Sequence, residues 1–167
     1  MELEQRVADL ERRLADLEGA RRGETPHLDE SDFWALNGLK EQLSQLDAAD
    51  GGVLYTGSVT LPTGEAYSWQ MGALTDGLLE DDWTTAAESF AALGHPVRLR
   101  LLREILGGRR TAAELAELDE VGTTGQVYHH LRQLTGAGWL ETTGRGRYEV
   151  PPARVVPLLV ALSTTRS

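Results

Sequence analysis

The sequence contains no cysteine, no long apolar run and no signal-peptide pattern. Without cysteine, disulfide bonds and thiolate chemistry are excluded, and a reducing compartment is indicated. The longest apolar run, from Val155 to Leu162, is far shorter than the roughly 20 residues that a membrane-spanning helix needs. The N-terminus is charged and lacks the apolar core of a signal peptide. We therefore expect a cytoplasmic protein that does not bind membranes.

The patterns of common catalytic and metal sites are also missing. There is no cysteine nucleophile, no recognisable Ser/His/Asp arrangement and no glycine-rich phosphate loop. His129 and His130 are adjacent, so on a helix they point in different directions and make a poor metal pair. Glu80, Asp81 and Asp82 could bind a metal, but such a run is more often a solvated segment before a helix. We expect no enzymatic activity, no cofactor and no metal site.

The net charge of −10 is distributed unevenly along the chain. Residues 1–83 contain six Arg or Lys and eighteen Asp or Glu, a net charge of −12, whereas residues 84–167 contain ten Arg and eight Asp or Glu, a net charge of +2. An acidic segment close to phosphate would be repelled, because charges within about 8–10 Å are poorly screened at physiological salt. A nucleic acid would therefore have to bind the second half.

The region from Gly94 to Val150 has the pattern of three helices followed by a hairpin. Val97, Leu101 and Ile105 recur at helical spacing in the first helix, which Gly107 and Gly108 end. Two capping-box patterns follow, and each predicts the start of a helix: they pair Thr111 with Glu114 and Thr123 with Gln126. His95, before the first helix, is interpreted as part of the local structure.

The third helix separates an apolar stripe from a polar face. Val127, Leu131 and Leu134 fall on one stripe and are expected to face the core. The side chains of the opposite face and its edges can bind DNA; they are Thr124, Gly125, Gln126, Tyr128, His129, Arg132 and Gln133. His130 lies nearer the stripe and is expected to be a partly buried structural histidine. Gln126 has two competing roles, capping the helix and reading adenine.

Two short strands are predicted after this helix, Trp139 to Thr143 and Arg147 to Val150. Gly144 and Gly146 permit a tight turn between them, and Arg145 and Arg147 place positive charge where a wing would contact phosphate. Helix, helix, turn, helix and hairpin are the elements of a winged helix-turn-helix domain.

This region resembles the ArsR-like family of bacterial winged-helix regulators. The resemblance lies in "ALGHPVRLRLLREIL" (Ala92 to Leu106) and "GQVYHHLRQLTGAGWLE" (Gly125 to Glu141). It implies a homodimer that binds double-stranded DNA at a two-fold symmetric operator, with the helix Ala86 to Leu93 and the last helix at the dimer interface. The chain departs from the family in its sensing residues: it has no cysteine, and Val155 to Leu162 has no Asp, Glu or His. Metal sensing of the family's usual kinds is therefore not expected.

Apolar residues at two further positions are predicted to mediate dimerisation. Residues 1–22 have a heptad pattern whose charges favour a parallel coiled coil, with Leu3, Val7, Leu10, Leu14 and Leu17 at its seam. A single amphipathic helix lying on its own chain is the alternative. The C-terminal segment has Leu158, Leu159 and Leu162 as dimerisation candidates, and its helix is expected to start near Pro157.

Residues 23–83 are predicted to form an acidic helix plus a β-hairpin. Asp29 is the expected N-cap of a helix that carries an apolar stripe from Phe33 to Leu46. Val53–Leu61 and Ala66–Met71 form the hairpin, which must pack on that helix, the wing sheet or a second copy. The aromatic residues of this region are Trp34, Tyr55, Tyr67, Trp69 and Trp83. A small core between helix and hairpin is the favoured interpretation, and a small-molecule or protein effector site within residues 28–83 is the alternative.

The predicted architecture is mainly α with a small β content, in three parts: an N-terminal coiled-coil helix (1–22), the acidic helix-plus-hairpin region (23–83) and a winged helix-turn-helix domain (84–167). Thr85 and Glu88 are expected to form a capping box at the start of the first helix of that last domain. The predicted function is a homodimeric transcriptional regulator, with residues 124–136 in the major groove and the wing, 139–150, on the backbone. The alternative is an interaction module in which the winged helix is a dimer scaffold and the acidic half recruits a protein.

Overall fold

The computed structural model of the chain describes residues 33–144 and 146–166. Within these ranges the elements in chain order are α1 (Trp34–Gln45), β1 (Gly52–Thr60), β2 (Ala66–Leu74), α2 (Thr75–Glu80), α3 (Thr84–Leu93), α4 (Pro96–Leu106), α5 (Ala112–Ala116), α6 (Thr124–Gly136), β3 (Glu141–Thr143), β4 (Arg147–Glu149) and α7 (Pro152–Ser163). The strands pair as two antiparallel hairpins, β1 with β2 and β3 with β4. Helices with two small sheets confirm the predicted α+β class.

The predicted coiled coil over 1–22, the N-cap Asp29 and Arg145 lie outside the described residues.

Contacts divide the chain into two compact units, Met1–Leu46 and Asp47–Ser167. In the first unit the predicted helix is present as α1, but none of its residues is buried. Trp34, which lies off the apolar stripe, is 69% exposed. In the second unit the first hairpin and the winged helix belong together, so the predicted boundary at residue 83 divides residues of one unit.

The core of the second unit is built from the apolar stripes of α4, α5, α6 and α7. It is lined mainly by Leu101, Leu102, Ile105, Leu115, Leu131, Leu134 and Leu158, each at most 1% exposed. Both predicted capping boxes of the motif are present. The Thr111 hydroxyl accepts from the Glu114 backbone N–H, and the Thr123 hydroxyl accepts from that of Gln126. The local capping signals therefore set where α5 and α6 begin, as the sequence predicted.

The first hairpin packs on the C-terminal helix, which was not among its predicted partners. Residues on β1 and β2 contact α7, and Leu61 joins the core. Gly57, paired with Trp69 across the hairpin, makes this packing possible. A Cβ at position 57 would lie 2.6 Å from Cγ1 of Val156, so only a residue without a side chain lets α7 approach so closely.

The C-terminal helix runs through Pro157, so the prediction that it starts near this proline is wrong. The helix begins at Pro152, and Pro157 lies inside it. Proline lacks the N–H that would bond to the carbonyl of Ala153, which costs backbone hydrogen bonding. The neighbouring residues Val155 and Val156 are each 1% exposed, and their burial holds the helix in place despite this loss.

The predicted capping box of Thr85 and Glu88 is absent, because α3 already begins at Thr84. Thr85 therefore lies inside the helix. The N-cap position is Trp83, which makes no side-chain cap. The carboxylate of Asp82, one residue earlier, accepts from the backbone N–H of Thr84 at 3.0 Å and from its hydroxyl at 2.7 Å. These hydrogen bonds lower the pKa of the Asp82 carboxyl. One residue of the acidic run thus binds the first residue of α3.

The strands of the wing are shorter than predicted. Trp139 and Leu140 precede β3 and are 5% and 2% exposed, because they pack into the core instead of pairing with a strand. The Trp139 indole N–H donates to the carbonyl of Ser89 at 3.2 Å. Val150 follows β4 and is also buried. No helix in the described part of the chain is both long and apolar enough to cross a membrane.

Candidate nucleic-acid interface

Helix α6 presents one exposed polar face above a completely buried stripe. Val127, Leu131 and Leu134 are 0% exposed, as predicted. The candidate DNA-binding residues on this helix are all exposed: Thr124, Gly125, Gln126, Tyr128, His129, Arg132 and Gln133. The helix therefore brings seven candidates to one accessible surface, which we call the α6 face.

The side chain of Gln126 caps the start of its own helix, α6. Its Oε1 accepts from the backbone N–H of Thr123 at 2.7 Å, which completes the capping box. The side-chain amide nitrogen remains as a donor. Gly122 has φ +90°, and a Cβ there would clash with the Gln126 Oε1. Glycine at position 122 is thus required both by the backbone conformation and by the cap.

Gln133 is held by Arg98, which was not among the candidate DNA-binding residues. Arg98 on α4 donates from Nη1 to the Gln133 Oε1, and it also donates to the backbone carbonyls of Ala91 and Ala92. One guanidinium thus joins the end of α3 to the α6 face. No local pattern predicts this, because Arg98 and Gln133 are 35 residues apart.

Three histidines meet beside this arginine. The His95 Nδ1 accepts from the backbone N–H of Val97 at 3.2 Å and caps α4, which confirms its local structural role. The His130 ring lies 4.7 Å from His95 and 5.8 Å from His129. Burial, with smaller contributions from the charges of His95, Arg98 and His129, lowers the pKa of His130. His130 is partly buried, as predicted, while His129 faces outward.

Arg132 and Tyr128 are the exposed cation and aromatic of the α6 face. Tyr128 is 47% exposed, and Arg132 is exposed on the same helix. No ion pair involves Arg132 within the described ranges. A guanidinium in that state can bind phosphate without first breaking an internal ion pair.

The wing places Arg147 at the solvent-exposed start of β4. Arg147 pairs with Thr111 as an isolated β-bridge, so the wing is joined to the start of α5. The Glu114 carboxyl is close by. Hydrogen bonds from the Thr111 hydroxyl and backbone, with a smaller contribution from the Arg147 charge, lower its pKa. Arg145, the other predicted wing contact, is outside the described residues.

The predicted dimerisation residues of α7 differ in how far they are exposed to solvent. Leu158 is 0% exposed in the chain's own core, so it cannot face a partner, and that assignment is corrected. Leu159 is half-buried against the core, and Leu162 is 37% exposed. The N-terminal candidates Leu3, Val7, Leu10, Leu14 and Leu17 lie outside the described part of the chain.

An open apolar groove of about 900 Å³ lies between the α2–α3 segment and α7. Trp83 and Phe90 line it and are 62% and 65% exposed, and Trp139 and Ala161 lie along it. The Arg154 guanidinium lies 4.9 Å from the Trp139 ring centroid, close enough for a cation–π contact. Of the aromatics that the sequence concentrates in residues 23–83, Trp83 lines this groove, whereas Tyr55, Tyr67 and Trp69 are half-buried in the first hairpin. Across residues 33–144 and 146–166, no three acidic or histidine side chains cluster as metal ligands.

Comparisons with known proteins agree with this geometry. Residues 93–143 match the protein family described as "Helix-turn-helix domain". A curated relative from Streptomyces lividans, the "Probable mercury resistance operon repressor", is 38% identical over 79 residues, which are 46% of this chain and 62% of the relative. The match therefore spans less than two thirds of the relative's length. Together these findings confirm the resemblance of the C-terminal half to ArsR-like helix-turn-helix regulators.

Proposed function

We propose that this chain, whose residues 93–143 match the helix-turn-helix family, is a homodimeric transcriptional regulator that binds double-stranded DNA in the cytoplasm. The α6 face supports this proposal most directly, because its exposed polar residues lie above a stripe that anchors the helix in the core. A recognition helix needs both properties: side chains that can enter a major groove, and a rigid attachment behind them.

Each candidate on the α6 face has a role that follows from its position. Thr124 and Gly125 lie in the first turn, where recognition helices approach base edges. Gln126 would contribute its amide nitrogen as a donor to a groove acceptor, since its oxygen caps the helix. Arg132 lies farther along and suits a phosphate contact. Tyr128, His129 and Gln133 complete the surface.

The wing would bind the DNA backbone beside the recognition helix. Arg147 is exposed, and Arg145 precedes it in the Gly-Arg-Gly-Arg segment. Guanidinium groups bind phosphate oxygens through charge-assisted hydrogen bonds that do not depend on base sequence. The wing is therefore proposed to add affinity, whereas the start of α6 adds sequence selectivity.

Dimerisation is proposed to use the apolar surface of α3 and α7. Phe90, Trp83 and Leu162 are large apolar residues that remain 65%, 62% and 37% exposed. Exposed apolar surface of this kind marks sites of protein association. The heptad of residues 1–22 is proposed to pair with its copy and to strengthen this interface. Two copies would present two α6 faces to the half-sites of a symmetric operator.

The regulatory signal is proposed to differ from that of the relative named for mercury resistance. Soft metal ions bind thiolates most strongly, and this sequence has no cysteine. A small molecule or protein acting on residues 28–83 is the remaining candidate from the sequence.

The proposal is tested by selecting bound sequences from random double-stranded DNA with the full-length protein, then measuring affinity against salt concentration. Arg132→Ala is expected to weaken binding and to make the slope of log affinity against log salt shallower by about 0.9 for each phosphate that is no longer neutralised. Arg166→Ala is the matched control, because it removes the same charge from the exposed segment after α7. Failure to enrich any DNA would refute the proposal and leave the interaction-module alternative.

A further inference from the structure

Arg110, in the loop between α4 and α5, lies between two carboxylates from different hairpins. Its Nη2 pairs with the Oε2 of Glu65, in the turn of the first hairpin, and its Nη1 lies 3.5 Å from the Oε2 of Glu149 on β4. The arginine side chain is 17% exposed, against 40% for Glu65 and 30% for Glu149. The ion pairs are therefore partly shielded from water, where screening is weaker than at the surface.

The backbone around Arg110 is joined to the wing as well. The Tyr148 N–H donates to the Arg110 carbonyl at 2.7 Å, next to the bridge between Thr111 and Arg147. Arg110 thus holds β4 through its main chain and through its side chain. A contact that fixes the conformation of this loop therefore also fixes the position of the wing.

The turn of the first hairpin contacts Arg110 and its loop as well. Its turn packs against the same loop, since a Cβ at Gly108 would lie 3.2 Å from Cγ2 of Thr63. The Thr63 hydroxyl donates to the Glu65 carboxylate at 2.8 Å and orients it. This bond and the one from Arg110 lower the pKa of Glu65, so it is ionised at neutral pH.

We propose that Glu65 is a positioning residue for the wing: the first hairpin orients Arg110, and Arg110 orients β4 and its DNA-contacting Arg147. The wing requires such support because its strands have three residues each, and so short a ribbon is not stable alone. This inference rests on the proposed function. It assigns to the first hairpin, which precedes the matched helix-turn-helix segment, a role in the DNA-binding surface.

The first test compares the DNA affinity of Glu65→Gln with that of Glu117→Gln, an exposed glutamate at the end of α5. Removal of a negative charge should by itself strengthen binding to phosphate. We expect Glu65→Gln to change the DNA affinity in the opposite direction. It should weaken binding roughly two- to fivefold per bound protomer, because the wing loses its orientation. Equal or stronger binding by Glu65→Gln, relative to Glu117→Gln, would overturn the inference.

The second test asks whether the effect passes through the wing. In an Arg147→Ala background the effect of Glu65→Gln should shrink, since the guanidinium that it positions has been removed. An undiminished effect, or an Arg147→Ala variant with full affinity, would show that Glu65 does not act through this arginine.

The third test needs no DNA and so separates this inference from the proposed function. Hydrogen exchange of the Tyr148 amide reports the bond to Arg110 directly. Glu65→Gln is expected to speed this exchange, while exchange at Leu131 in the core of α6 stays unchanged. Unchanged exchange at Tyr148 would refute the positioning role even if DNA binding is confirmed, and failed DNA selection with faster exchange would refute only the proposed function.

Discussion

The His130 ring lies 4.7 Å from the His95 ring, and its Nδ1 is buried with no hydrogen-bond partner among the described residues. His95 caps α4, and His130 belongs to α6, so the pair lies where these two helices meet. The other charged or titratable groups facing His130 are Arg98 and His129. Protonation of His130 would therefore put a second positive charge beside Arg98, in a partly buried environment.

We expect protein stability to fall on mild acidification because of His130. Burial lowers its pKa below the ordinary value of 6.5 in the folded state. Above 6.5 the ring is neutral in both folded and unfolded chains. As the pH falls below 6.5, the unfolded chain binds the proton first, so the free energy of unfolding decreases until the pH reaches the lowered folded pKa.

Urea unfolding at a series of pH values from about 7.5 to about 5 measures this effect. His130→Gln should remove part of the pH dependence, while His129→Gln, which alters an exposed ring, should keep it. Identical pH profiles for wild type and His130→Gln would show that the buried ring does not contribute.

Gly57→Ala is expected to destabilise the second unit by about 1–3 kcal/mol. The new methyl group would meet Val156 at 2.6 Å and push α7 away from the hairpin. Gly72→Ala is the control, because its nearest neighbour would lie at 3.6 Å, an ordinary contact. Thermal unfolding of both variants checks this, and Val156→Ala should partly restore the Gly57→Ala protein. A cost equal to that of Gly72→Ala would mean that the approach is looser than the geometry indicates.

Thr123→Ala should cost about 1 kcal/mol of stability, because it removes the hydroxyl that caps α6. Thr85→Ala should cost much less, since Thr85 lies inside α3 and caps nothing. Chemical denaturation measures the stability of both variants. It compares Thr123, where the predicted capping box is present, with Thr85, where the predicted capping box is absent. Comparable losses of stability in both would contradict the conclusion that Thr85 does not cap α3.

Phe90→Asp is expected to weaken self-association at least roughly 30-fold, or about 2 kcal/mol, by placing a charge in the proposed interface. Val53→Asp, at a residue 55% exposed on β1 and outside the groove, is the control. Sedimentation at several concentrations measures the dissociation constants. A Phe90→Asp protein that associates like Val53→Asp would exclude the α3 surface from the interface.

Local chemistry predicted much of the winged helix-turn-helix region. The capping pairs Thr111–Glu114 and Thr123–Gln126, the stripe of α6 and the glycines after α4 are patterns within a few residues, and each occurs as predicted. The exposure of the α6 face follows from the same periodicity, because burial of one stripe turns the opposite side to solvent. The capping pattern at Thr85 gave a wrong prediction, since α3 begins one residue earlier, at Thr84, whose backbone N–H bonds to Asp82.

The sequence by itself thus determined where α5 and α6 begin and which side of α6 is polar, because these depend on neighbours along the chain. Only the tertiary structure decided that the hairpin packs on α7 through Gly57, that Leu158 turns inward and that Arg98 holds Gln133. It also decided that Arg110 joins Glu65 to Glu149. These contacts join residues far apart in sequence, and their partners are selected by shape and charge after the elements pack, which no local pattern encodes.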